Sequence, residues 1–204
     1  MPPSHHTPCG EFRHEIPRIK NSRFVASVAH ASSTQTAREF AEKVSAELSD
    51  ARHHCWAYRL GPGGREYRFS DDGEPGGSAG RPILAQIEGH AVSDAVVVVT
   101  RWFGGVKLGV GGLMRAYGGA AGAALDHAPL RVVTPMCKFA ARFPYEHGRA
   151  IQALLSARSV SPIDSDYGAE VRMVFEVPEQ EAGEFCSALR DRTAGRVVIE
   201  ELPL

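Results

Sequence analysis

Apolar residues along this chain change period several times, and each change marks an element. Phe24 to Ala29 is a short, mostly apolar run that predicts a strand. Phe40, Val44 and Leu48 recur every four residues among Glu and Lys, which predicts a helix over Thr36 to Ala51. Cys55 to Leu60 and Glu66 to Ser70 read as two strands around the turn Gly61-Pro62-Gly63-Gly64, hence a hairpin. Asp71 to Gly80 is a polar, glycine-rich loop. Pro82 starts a short helix through Gly89, because proline is tolerated in a first helical turn. Ala95 to Arg101 holds four consecutive valines and a threonine, the mark of a strand buried on both faces. Phe103 to Gly112 is a loop with five glycines, and Leu113 to His127 a helix rich in Ala and Gly. Those small residues predict close backbone packing at some cost in helix propensity.

Pro135 marks a change of pattern. The strand Cys137 to Phe143 is followed by a helix at Glu146 to Ala157. Strands at Ser159 to Asp166 and Glu170 to Val177, a helix at Glu179 to Thr193 and a strand at Arg196 to Leu202 complete it. The order βαββαβ is the split, ferredoxin-like arrangement. The chain therefore divides into a leader over 1–18, expected to be flexible from its prolines and histidines, a first domain over 19–134 and a second over 136–204.

Length and composition fit this division. The 204 residues suffice for two small domains with their own cores. The chain is 43% hydrophobic and 23% charged, which argues against disorder throughout. The net charge of −1 rules out wholesale basic attraction to nucleic acid or membrane. Residues 1–135 carry 15 basic and 13 acidic residues, and 136–204 carry 8 and 11, so the first domain is weakly cationic. Cys9, Cys55, Cys137 and Cys186 are far apart and form no C-x-x-C pair. They read as separate reduced thiols, which points to the cytoplasm. The first ten residues lack the apolar core of a signal peptide, and no apolar run approaches a membrane span. No heptad seam calls for an obligate oligomer, so a monomer is expected.

Two loops hold the candidate chemistry. The first lies between the valine strand and the Ala/Gly helix. Gly109, Gly111 and Gly112 allow close backbone approach to a ligand, and the helix after them offers free N–H groups. With Arg101, Lys107 and Arg115 nearby, the combination favours an anion such as phosphate. The bland alternative is a turn that packs helix on sheet. Lys107 is followed by Leu108, so no Walker A motif is present. Met114 stands where a dinucleotide fingerprint needs its third glycine. The second loop holds Asp71, Asp72, Glu74, Ser78 and Arg81. Its carboxylates suit a hard cation or acid–base work, but a solvated turn is the commoner use, and no metal is assigned. Gly76-x-Ser78-x-Gly80 mimics a nucleophile elbow, yet a polar loop rather than a strand precedes it, so a hydrolase is rejected. His53 and Cys55 share a strand face, but further zinc ligands at suitable spacing are lacking, and His53 reads as structural or as a neighbour of the site.

Three segments in this order resemble the YigZ/IMPACT family: His53-His54-Cys55-Trp56-Ala57-Tyr58, Asp71 to Leu84, and Val97 to Tyr117. The likeness is strong over residues 20–130. Gly76 and Ser78 replace the family's usual Ser/Ala and Thr, and Trp102 replaces Tyr. The resemblance implies an α+β chain of two domains. The first would be like the second domain of ribosomal protein S-five, a β-α-β sheet with helices on one face. The second would be ferredoxin-like. The pair would resemble the last two domains of elongation factor G. Eukaryotic members of the family regulate translation under amino-acid starvation through protein partners. The expected function is thus a non-enzymatic cytoplasmic protein of translation, without a cofactor. It would bind RNA, the ribosome or a translation factor through Arg101, Lys107, Gly109, Gly111, Gly112 and Arg115. Asp71, Asp72, Glu74, Ser78, Arg81 and His53 would form a second loop of the same site. The alternatives are a phosphate- or nucleotide-binding enzyme or sensor, and a protein–protein adaptor.

Overall fold

The valine strand organises the first domain. In the computed structural model, which describes residues 4–203, Ala95–Trp102 (β6) sits at the centre of a five-stranded antiparallel sheet. Its neighbours are Ser22–His30 (β3) and His53–Leu60 (β4), and Phe12–Ile19 (β2) and Glu66–Ser70 (β5) form the edges. Val96, Val97, Val98 and Val99 are all fully buried. Because side chains alternate across a strand, this requires cover on both faces. Each valine then contributes roughly 1.5–3 kcal/mol.

Thr34–Glu47 (α1) covers one face. Its buried Ala37, Phe40 and Val44 pack with Val96, Val98 and Tyr58. Ser33 starts it with a capping box: its hydroxyl accepts the Thr36 N–H at 3.2 Å, and Thr36 Oγ1 accepts the Ser33 N–H at 3.1 Å. Gly80–Gly89 (α2) and Val110–His127 (α3) cover the other face, over Val97, Val99, Cys55 and Ala57. The expectation of helices on one face only is thereby corrected, as both sides of a four-valine strand need apolar cover. The small residues of α3 serve as expected. A Cβ on Gly122 would lie 2.7 Å from Gln86 Oε1, so α2 and α3 approach more closely than larger residues would permit.

The N-terminal stretch is a second correction. Residues 1–3 lie outside the described residues, but His5–Pro8 (β1) pairs with Leu130–Val133 (β7), and β2 pairs with β3. The segment is therefore not a flexible leader. Phe12, His14 and Ile16 alternate with exposed Arg13 and Glu15, as an edge strand requires. Pro17 falls where the β2–β3 register shifts, which hid the alternation.

The chain divides into two units, Ser4–Val133 and a second that begins at Thr134. The second runs Met136–Phe143 (β8), Gly148–Arg158 (α4), Asp164–Tyr167 (β9), Val171–Pro178 (β10), Glu179–Arg192 (α5) and Val198–Leu202 (β11). Its antiparallel strand order β11-β8-β10-β9 is the ferredoxin-like arrangement. Phe139, Phe175 and Phe185 pack together in its core. Element ends moved where no side chain marked them. A 3-10 turn at Tyr145–His147 precedes α4, and β9 starts at Asp164 rather than Ser159. Among the described residues no helix is long and apolar enough to cross a membrane.

Candidate functional site

The acidic loop is held by its own first residue. Asp71 Oδ1 accepts the N–H groups of Ala79 and Gly80 at 2.9 Å, and Oδ2 accepts that of Gly77 at 2.8 Å. Asp71 thereby satisfies the start of α2, where an anion is favoured. Burial raises its pKa, but these three donors outweigh that and hold it below the ordinary value. Asp72 turns elsewhere: its carboxylate accepts the His54 N–H at 2.6 Å, and its carbonyl lies 2.8 Å from His53 Nδ1. His53 thus braces the acidic loop. Ser78 is fully buried, with no partner for its hydroxyl.

Glu74 belongs to a different set of contacts. Its Oε1 accepts from Arg101 Nη1 at 2.5 Å and from the Tyr117 hydroxyl at 2.8 Å. The Glu74 and Arg101 side chains are each only 5% exposed, so this is a buried ion pair. Arg101 also reaches Ser22 Oγ at 3.3 Å, and that hydroxyl accepts the Gly104 N–H at 3.2 Å. Burial raises the pKa of Tyr117 and pushes the Cys55 thiol up to about 12, so both are neutral donors near pH 7. Cys55 Sγ donates to the Asp71 carbonyl at 3.0 Å. The three carboxylates that suggested a cation or acid–base site are thus divided among three structural tasks. Among the described residues no group of three or more His, Cys, Asp or Glu side chains is placed to hold a metal.

Opposite Glu74 lies the glycine-rich loop. Gly109 has φ +73° and passes the chain into α3, a conformation most side chains resist. Its carbonyl accepts the Leu113 N–H. No side chain caps α3, and no acidic residue stands in its first turn. Upstream, Gly104 touches Asn21 so closely that a Cβ would lie 2.1 Å from backbone carbon. Glu74 and Pro75 from one loop, Lys107 to Val110 and Leu113 from the other, and Arg101 and Phe103 line one cavity of about 330 Å³. Phe103 is 47% exposed at this cavity.

The structure brings together Glu74, Arg101, Lys107 and Gly109. Gly111, Gly112 and Arg115 continue along the first turns of α3, and Lys107, Gly111 and Arg115 are exposed. Lys107 and Arg115 make no ion pair among the described residues, whereas Arg101 is committed to Glu74. Asp71, Asp72, Ser78 and His53 support the acidic loop without lining the cavity. Arg81 lies on α2 beside β5, away from it. Ser22 and Tyr117 are not among the expected site residues, although both fall within the stretch that resembles the family. Tyr117 was findable, since it follows Leu113 by four residues on the buried face of α3.

The Impact N-terminal domain family matches residues 20–125, and the family described as Domain of unknown function (DUF1949) matches residues 142–196. "IMPACT family member YigZ" of Escherichia coli (strain K12) is 40% identical over 88% of this chain and 89% of its own length. "IMPACT family member in pol 5'region" of Thermus thermophilus is 42% identical over 89% of this chain and 99% of its own. A solved structure titled "Crystal structure of an hypothetical protein" is 36% identical. It covers all of this chain and 99% of its own, with a TM-score of 0.66.

Proposed function

The chain belongs to the IMPACT family, and from that premise we propose that it is a non-enzymatic cytoplasmic protein associated with regulation of translation. Its partner is RNA or the ribosome, bound through the glycine-rich loop; a translation factor is the other partner the family suggests. One observation carries the reading. The N-terminus of α3 lacks a side-chain cap and an acidic residue, and it opens beside exposed Lys107 and Arg115, which form no ion pair among the described residues. Free N–H groups, a positive helix end and two exposed cations together favour phosphate. Phosphate contacts position a nucleic acid without reading its sequence. Exposed Phe103 adds a surface on which a base can stack. Arg101, an expected phosphate contact, is removed from that set because Glu74 neutralises it within the fold.

The test is co-sedimentation with ribosomes over a range of salt, for the natural chain and for Lys107→Ala/Arg115→Ala. The expected result is weaker binding and a logarithmic salt slope reduced by up to about 2. Loss of both effects overturns the assignment. The cavity itself favours a second reading. At about 330 Å³ it is at the small end of ligand pockets. A phosphate-bearing metabolite or nucleotide would then be the ligand, and a rise in melting temperature with ATP and Mg²⁺ but no ribosome binding would select that reading.

A further inference from the structure

The edge strand β5 differs from the edges β2, β9 and β11 in carrying two exposed aromatic rings on one face. At the opposite edge of the same sheet, β2 carries Pro17 and a register break. In the second domain, β9 has only four residues, two of them Asp, and β11 carries Glu200 and Glu201. These are the devices by which proteins discourage an edge from pairing with another chain. Strand β5 has no proline and no register break, pairs with β4 alone, and carries its two charges, Glu66 and Arg68, on the face away from α2, Arg68 standing opposite Tyr58 of the core under α1. Tyr67 is 53% exposed and Phe69 42%.

Both rings lie on one face. Phe69 stands opposite Ala57, a residue of the core beneath α2, and Tyr67 is two positions away. A groove of about 390 Å³ runs between this face and α2. Its floor is Tyr67, Phe69, Leu84 and Ala85, with Arg81 and Glu88 as its charged walls. Arg81 and Glu88 are seven positions apart on α2, about 10 Å along the axis. Neither forms an ion pair among the described residues. The groove is therefore apolar in the middle and oppositely charged at its ends.

We propose that β5 and α2 form a docking site for an extended peptide segment of another protein, added to the sheet as a sixth strand. Main-chain hydrogen bonds to β5 supply part of the binding, and alternate side chains of the peptide enter the groove. Extended residues advance about 3.3 Å each, so same-face residues four apart span about 13 Å. The matching peptide carries an acidic and a basic residue four positions apart, with an apolar residue midway. The acid meets Arg81, the base meets Glu88, and the apolar side chain lies on Tyr67 and Phe69. A peptide is favoured over a nucleic acid because one wall is Glu88 and the free strand edge offers backbone pairing, which a base cannot continue. This site is separate from the cavity at the start of α3, so it stands whether or not the phosphate reading holds.

The probe is a fluorescein-labelled peptide of about ten residues with the core Asp-Thr-Val-Thr-Lys, compared with an uncharged Ser-Thr-Val-Thr-Ser core. Anisotropy is expected to show saturable binding, stronger for the charged core, and Arg81→Ala/Glu88→Ala is expected to remove that preference. Tyr67→Ser/Phe69→Ser weakens binding roughly tenfold, with an unchanged melting temperature since both rings are exposed. Methylating alternate amide nitrogens of the peptide on one edge abolishes binding, while methylating those of the other edge does not. This arm needs no variant protein. Lys107→Ala/Arg115→Ala binds the peptide normally. No binding near about 1 mM peptide overturns the proposal, as does equal binding by the Tyr67/Phe69 variant. Self-association lost in that variant assigns the edge to a second copy instead. Oligouridine binding lost in it assigns the edge to RNA.

Discussion

Arg101 shows how one residue's role depends on what stands beside it. In isolation it is a cation next to a glycine-rich loop. In the fold its guanidinium is spent on Glu74 and Ser22, and its face lies over Phe24 and Phe103 at 5.6 and 5.5 Å. Removing one member of a buried pair leaves the other charge uncompensated, at a cost of about 3–5 kcal/mol. Arg101→Ala is thus expected to lower the stability measured by urea unfolding by that amount. Lys107→Ala, at an exposed position, is expected to change it by less than about 0.5 kcal/mol. If the two variants lose equal stability, Arg101 is not the internal tie described here. The comparison also separates a fall in ribosome binding caused by unfolding from one caused by a lost phosphate contact.

At the scale of elements, the N-terminal strands are part of the first domain's framework. Strand β2 pairs along β3 from Phe12↔Val28 to Ile19↔Ser22, and Phe12, Ile16 and Ile19 pack against the core under α3. A flexible leader would be removable. Deleting residues 1–19 is instead expected to expose the edge of β3 and the core beside it, giving a lower melting temperature or an insoluble chain. An unchanged melting curve would contradict the pairing. The two loops follow the same logic. Asp71 holds the acidic loop onto the start of α2, and Gly109 aims the bare start of α3 at the same cavity, so two turns distant in sequence face one space.

The whole molecule is two folding units, each with its own apolar core. The second unit, Thr134–Leu204, surrounds Phe139, Phe143, Phe175 and Phe185 with its own helices and sheet. Expressed alone, it is expected to unfold in a single cooperative thermal transition by circular dichroism. A non-cooperative melt would show that its core is incomplete without the first unit. Much of this organisation was legible from periodicity. The valines of β6, the four-residue repeat of α1 and the βαββαβ order depend on local spacing, which the chain carries with it. The motifs around His53, Asp71 and Val97 likewise placed it in its family. Strands β1 and β2, polar and each holding a proline, and the four-residue β7 were not legible, because such segments take their stability from partners remote in sequence. Nor was the division of labour among charges. Spacing put Asp71, Asp72 and Glu74 together and grouped Arg101 with Lys107 and Arg115. Only the tertiary structure decided that Glu74 neutralises Arg101 while Lys107 and Arg115 stay exposed, since burial and pairing belong to contacts across the fold.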